Sequence, residues 1–194
     1  MILIGLTGTI GSGKTFALSF FKSKKIKIFS ADEKVKKILE KKIVKEKIYK
    51  LFPGAFIGKK LNKSVLASIV FSDKKKLRKL EKIIHPCVKK EKKIFLDINK
   101  NENFIVMEIP IIFEQKTKKN YDYIILMDVN KKTQFERIKK RKNMTKILFK
   151  KILANQVSDK KKKFADFVIN NNGSKIKTRR ILRKTLDKIL STGL

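Results

Sequence analysis

A single cysteine, a single histidine and no tryptophan stand among the 194 residues, and no apolar run approaches the roughly 18 residues of a membrane span. Cys87 alone excludes an intramolecular disulfide and a cysteine-based zinc site, and suits a reducing compartment. A metal, if used, must be held by oxygen. Acids are scarce as well, 17 against 51 basic residues, for a formal net charge of +34. Only six of the basic residues are arginines (Arg78, Arg137, Arg141, Arg179, Arg180, Arg183), so 45 are lysines, spread along the whole chain. Proteins that read base sequence lean on arginine forks, and those that track single strands lean on stacking aromatics. The expectation is therefore solvated lysine faces with no specific nucleic-acid partner, although such a surface attracts anionic substrates. The start, Met1-Ile2-Leu3-Ile4-Gly5, has no basic flank and turns straight into a glycine-rich segment, unlike a cleavable signal peptide. A cytoplasmic protein without membrane partner is expected.

The length suits one compact unit with subdomains. Ile2 to Thr7 reads as a buried parallel strand, and Thr15 to Lys24 carries apolar residues at helical spacing. A second strand follows at Ile26 to Phe29, then helices over about Ala31 to Glu40 and Val44 to Phe52, stopped by Pro53-Gly54. From Asn62 to Asn99 the pattern is helical throughout. Ser72-Asp73 caps one helix, and His85-Pro86 is expected to open another, because proline fits the first helical position. Phe104 to Ile109, Tyr123 to Val129 and Phe167 to Ile169 read as further strands, with helices from about Lys131 to Lys142 and after Gly173. The prediction is an α/β fold, a parallel five-stranded sheet flanked by helices. The helical stretch from roughly Glu33 to Asn99 is expected to be an insertion, and Asn143 to Lys163 a mobile cover. Ligands of such sheets sit at the carboxyl ends of the strands.

Gly8-Thr9-Ile10-Gly11-Ser12-Gly13-Lys14-Thr15 matches the P-loop pattern G-x-x-x-x-G-K-[ST], expected by chance only about 0.007 times in a chain of this composition. Gly8, Gly11, Ser12 and Gly13 let backbone N–H groups turn inward around phosphates. Lys14 reaches the β- and γ-phosphates, the Thr15 hydroxyl ligates Mg²⁺, and Phe16 gives its N–H to the α-phosphate. The motif points to phosphoryl transfer from ATP with Mg²⁺.

Other residues have two readings each. Asp32, just past the second strand, is either the carboxylate that accepts a proton from an attacking hydroxyl or a helix N-cap. His85 either meets a substrate or makes a local hydrogen bond. Arg137 and Arg141, one helical turn apart, either clamp phosphate oxygens or belong to a solvated face. Glu108 and Asp128 end strands and either order Mg²⁺ through water or cap turns.

Taken in order, these segments resemble the dephospho-coenzyme A kinase family from about Ile2 to Leu190. The resemblance is carried by the P-loop, Ala31-Asp32, Leu80-Glu81-Lys82-Ile83-Ile84-His85-Pro86, Ile109-Pro110-Ile111-Ile112-Phe113-Glu114, Thr133 to Arg137 with Arg141, Gln156, and Ala165-Asp166-Phe167-Val168-Ile169-Asn170-Asn171-Asn172-Gly173. It implies transfer of the ATP γ-phosphoryl group to the ribose 3′-hydroxyl of dephospho-coenzyme A. It also implies that Asp32 is the base, that His85, Pro86 and Pro110 contact the acceptor, and that Lys14 and Arg141, supported by Arg137, meet the transferring group. The chain departs from the family at Ser30, where a second acid is often found, and in the lysine run Lys160 to Lys163. A kinase of nucleoside monophosphates or small alcohols is the alternative within the class. A nucleic-acid-binding ATPase is the alternative outside it. A GTP switch is disfavoured, since Asn130-Lys131-Lys132-Thr133 lacks the carboxylate that would read guanine.

Overall fold

The apolar run at the start of the chain becomes β1 (Ile2–Thr7), the middle strand of a sheet whose neighbours come from far along the sequence. A computed structural model describes residues 1–108, 120–141, 144–156 and 164–192. With β2 (Lys27–Ser30), β5 (Phe104–Glu108), β6 (Tyr123–Asp128) and β7 (Phe167–Asn170), β1 forms a five-stranded sheet in the order β2-β5-β1-β6-β7. Every pairing in this sheet is parallel. All carboxyl ends therefore lie along one edge, where Ser30 and Leu6 flank Glu108 in register.

Strands buried on both faces need helices on both. On one face α1 (Lys14–Ser23) and α8 (Lys175–Thr192) bring Ala17, Phe21, Leu182 and Ile189 onto Ile4, Leu6, Ile125 and Met127. On the other, Phe95 and Val88 of α5 (Lys74–Ile98) pack against Phe29, Ile105 and Met107. Each such fully buried side chain contributes about 1.5–3 kcal/mol over its exposed state.

The insertion folds around its own apolar cluster. Ile38 of α2 (Ala31–Ile38), Val44 and Ile48 of α3 (Lys42–Leu51), Leu66 and Val70 of α4 (Lys63–Phe71) and Ile84 of α5 share it. Its helix starts follow from caps: Asn62 accepts from the Ser64 and Val65 N–H groups, and Asp73 from Lys75 N at 2.7 Å. Two features differ from expectation. Pro86 lies in the interior of α5, so that Asp73, not His85-Pro86, begins this helix. The proline removes one backbone donor, but Ile84 before it and Val88 and Phe95 after it pack into the apolar clusters, and that burial carries the helix across. The insertion also contains a two-stranded antiparallel ribbon, β3 (Phe56–Ile57) with β4 (Lys60–Leu61), turned at Gly58 with φ 57°.

The helix expected to run to Lys142 ends earlier, as α6 (Lys131–Ile138), and is followed by α7 (Lys146–Gln156). Ile138, Phe149 and Leu153 join these two helices, with Ile10 of the P-loop packed against them. No described helix is long and apolar enough to cross a membrane.

Candidate active site

The loop between β1 and α1 turns on glycines. Gly11 has φ 75°, and a Cβ there would lie 2.8 Å from the Gln134 carbonyl oxygen. Gly13, with φ 100°, is the residue from which α1 starts, and a Cβ on it would collide with the Asn171 side chain. Only glycine suits both the backbone and the space. Lys14 Nζ curls back to donate to Gly8 O at 2.9 Å, and stands 4.0 Å from Glu108 Oε1.

Polar side chains from three distant elements hold this loop. Asn171, past the end of β7 and 5% exposed, donates from Nδ2 to Ser12 O at 2.7 Å and accepts from Thr178 Oγ1 at 2.8 Å. Gln134 of α6 donates to Thr9 Oγ1, and Gln156 of α7 accepts from Ile10 N at 2.9 Å. Arg137 donates to Asn171 O at 2.8 Å and to Gly11 O at 3.4 Å. Its guanidinium thus ties α6 to the loop while still lining the cleft.

On the opposite side Ser30 settles which residue caps α2: its hydroxyl oxygen accepts from Glu33 N at 3.2 Å. Asp32 is thereby released from capping and lines the cleft. Ser30 Oγ also donates to Glu108 Oε2. Glu108, 5% exposed, lies close enough to Asp32 to feel its charge. Burial, then the Asp32 charge, push the Glu108 carboxyl up to about 7, against the pull of Ser30 and Lys14.

Two cavities meet at Glu108, which lines both. One, of about 550 Å³, brings together the P-loop with Thr15 and Phe16, Asp32, Arg137, Arg141 and Gln156. The other, of about 1030 Å³, runs between the sheet and α5 past His85, Pro86, Lys89, Lys92 and Tyr121. Burial pushes the His85 imidazole below its ordinary range, which favours its neutral form. Asp128 ends β6 opposite Asn170 and lines neither cavity. Pro110, the rest of Ile109 to Glu114, and Lys160 to Lys163 lie outside the described residues.

The oxygens of Thr15, Asp32 and Glu108 in one cleft are a donor set of the hard type that Mg²⁺ takes. Among the residues given no role from the sequence are Gln134, which stood only inside the segment Thr133 to Arg137 of the family resemblance, and Thr178 and Tyr121. Asn171 was visible within the Ala165 to Gly173 segment of the family resemblance, without a role of its own.

A family model described as dephospho-CoA kinase matches residues 2–177. A dephospho-CoA kinase of Bartonella quintana (strain Toulouse) is 40% identical over 173 residues, 88% of this chain and 89% of that protein. One from Rhodopseudomonas palustris (strain ATCC BAA-98 / CGA009) is 33% identical over 190 residues, 96% of this chain and 95% of its own. Among solved structures, the dephospho-CoA kinase of Campylobacter jejuni superimposes with a TM-score of 0.66 at 26% identity, covering 99% of this chain and 98% of that one.

Proposed function

Given that the chain belongs to the dephospho-CoA kinase family, we propose that the cleft over the P-loop is its ATP site, the cavity along α5 its acceptor site, and Asp32 the base between them. The enzyme transfers the γ-phosphoryl group of ATP to the ribose 3′-hydroxyl of dephospho-coenzyme A, giving ADP and coenzyme A, the last step of coenzyme A biosynthesis. The observation that carries the site reading is Glu108, which lines both cavities, with Lys14 and Asp32 beside it in the P-loop cavity. Phosphoryl transfer is mostly positioning and electrostatics, and a junction of this kind brings donor and acceptor together with a cation and a carboxylate at hand.

In this reading the P-loop N–H groups and Lys14 hold the β- and γ-phosphates, and Phe16 N–H faces the α-phosphate. Asp32 orients the acceptor hydroxyl and takes its proton as the oxygen attacks. Lys14 and Arg141 stabilise the negative charge that develops on the transferring group. Arg137 supports them by holding the loop to α6. Thr15 would hold Mg²⁺, with Glu108 contributing through water, and the metal would supply positive charge against that of the phosphates. His85 and Pro86 line the acceptor side, and Pro110 is assigned there by family resemblance. The division into core (1–32, 100–130, 164–194), acceptor-binding insertion (33–99) and lid region (131–163) is supported by separate apolar clusters in the sheet, the insertion and the α6–α7 pair. The lone cysteine suits a cytoplasmic setting.

Incubation with Mg-ATP and dephospho-coenzyme A, with products identified by mass, tests the reading. ADP and coenzyme A should appear together, and adenylate, cytidylate and shikimate should be poor acceptors. Faster turnover of a nucleoside monophosphate would overturn the acceptor assignment and leave the P-loop reading intact.

A further inference from the structure

In α5, positions 85, 89, 92, 93 and 96 recur at helical spacing, so His85, Lys89, Lys92, Lys93 and Leu96 share one face, and all five line the large cavity. The two ends of that row differ in charge. Burial keeps His85 below its ordinary range, so the residue nearest the junction contributes hydrogen bonds rather than a cation. One turn further on, the lysines begin. Lys92 is half-buried, donates to Tyr121 Oη at 3.2 Å and has its ammonium 4.8 Å from the centre of that ring. It is fixed in place. Lys89 and Lys93 are exposed at its flanks, and among the described residues neither has a hydrogen-bond or ion-pair partner. The acid closest to them in sequence, Glu91, is held away by Lys34 at 2.9 Å and Lys41 at 3.1 Å. The opposite wall is apolar, from Leu3, Phe29 and Met107, and a poorly solvated wall strengthens a charge–charge contact made beside it. Asp97, one turn past Lys93, closes the row at the far end.

The acceptor in the proposed reaction carries a diphosphate on the 5′-carbon of the ribose whose 3′-hydroxyl is phosphorylated. With the hydroxyl at Asp32 and the ribose beside His85, that diphosphate lies a few bonds further along the cavity. Lys89 is about 6 Å and Lys93 about 12 Å along the helix axis from His85. We propose that Lys89 and Lys93, with Lys92 fixed between them, bind the diphosphate of the acceptor and make the enzyme select acceptors that carry one. The proposal rests on the reading of this cavity as the acceptor site.

Steady-state kinetics with dephospho-coenzyme A at saturating Mg-ATP test it, using Lys89→Ala, Lys93→Ala, the double variant and the Lys→Arg pair. Each alanine should raise the acceptor KM about tenfold and the double about 10²-fold, as charge-assisted hydrogen bonds of this kind predict. The KM for ATP should stay within about twofold, kcat within about threefold, and arginine should restore most of the loss. Inorganic pyrophosphate, with ATP saturating so that it is kept off the P-loop, should compete with dephospho-coenzyme A in the wild type and lose at least tenfold in potency in the double variant. Since both side chains are exposed, unfolding midpoints should match the wild type and rule out damage to the fold. An unchanged acceptor KM in the double variant, while the wild type makes coenzyme A, overturns this inference alone. A wild type that makes no coenzyme A overturns the acceptor reading itself and the inference with it.

Discussion

Around the P-loop, most of the loop's polar groups are held by side chains from afar: Ser12 O by Asn171, itself held by Thr178, Thr9 by Gln134, Ile10 N by Gln156, and Gly11 O by Arg137, while Ser12 Oγ and Gln134 Oε1 are buried without a partner among the described residues. Along α5, on the other side of Glu108, the cavity wall is largely apolar and two of its lysines have no partner among the described residues. The donor side is therefore organised before any nucleotide arrives, so little reorganisation accompanies binding and the loop can act mainly on the transition state. Across the junction the acceptor must supply the missing partners itself, which makes that side a place of selection more than of catalysis. Substitutions should separate the two: changes at the P-loop and junction in kcat, changes along α5 in the acceptor KM.

The largest effect is expected at the junction. Asp32→Asn keeps the shape of the side chain and, with Ser30 capping α2, removes no cap. Its kcat should fall by about 10² to 10⁴, the usual contribution of general-base assistance, with ATP affinity retained. Retention of more than a third of wild-type kcat, an effect under about 1 kcal/mol, would remove Asp32 from the mechanism. Lys14→Ala and Arg141→Ala come next, each with kcat lowered roughly 10²-fold and unfolding midpoints close to wild type. If Arg141→Ala turned over normally, that guanidinium would return to the solvated face and the donor side would end at α6.

How far the two sides could be read in the sequence follows the same division. The P-loop is one contiguous stretch, and its chemistry depends on glycine and lysine at fixed spacing, so Gly8 to Thr15 announce themselves. The sheet was legible for a similar reason, because each buried parallel strand is a short apolar run such as Phe104 to Glu108. What brings Asn171 onto Ser12 is a contact across 159 residues, and nothing local marks it. Pro86 misled because the rule for proline is local, whereas the burial of Ile84 and Val88 that continues the helix is tertiary. Lys89 and Lys93 were hidden among 45 lysines, and only the cavity distinguishes them.

A smaller effect should follow loss of the loop's buried brace. Asn171→Ala leaves the buried Ser12 O without its donor, while the Thr178 hydroxyl keeps Ser174 O at 3.2 Å as an acceptor, so the cost should be about 1–3 kcal/mol. Denaturant unfolding should show this loss, and the KM for ATP should rise several-fold while the KM for dephospho-coenzyme A stays put. A rise confined to the acceptor KM would mean that the two sides are not organised separately.

The smallest expected effect belongs to the residue the two sides share. The Glu108 carboxyl is raised to about 7 in the folded chain against 4.5 for an ordinary glutamate, through burial first and the Asp32 charge second. Between those values the folded protein holds a proton that the unfolded chain has released, so stability must fall as pH rises through that window. Glu108→Gln keeps an acceptor for the Ser30 hydroxyl and does not titrate. Glu40 and Glu91 have carboxyls held low by their lysines and contribute the opposite slope, but they are present in both proteins and cancel in the difference. Without nucleotide, the wild type should therefore lose stability relative to Glu108→Gln between pH 5 and pH 8, on the order of 1–3 kcal/mol. Thermal unfolding of both proteins at the two pH values measures it as a difference of several degrees in Tm. Parallel curves would mean that Glu108 is already ionised in the folded enzyme. The junction would then carry a buried negative charge on Glu108 before ATP arrives, and Lys14, 4.0 Å from its Oε1, would have to offset it.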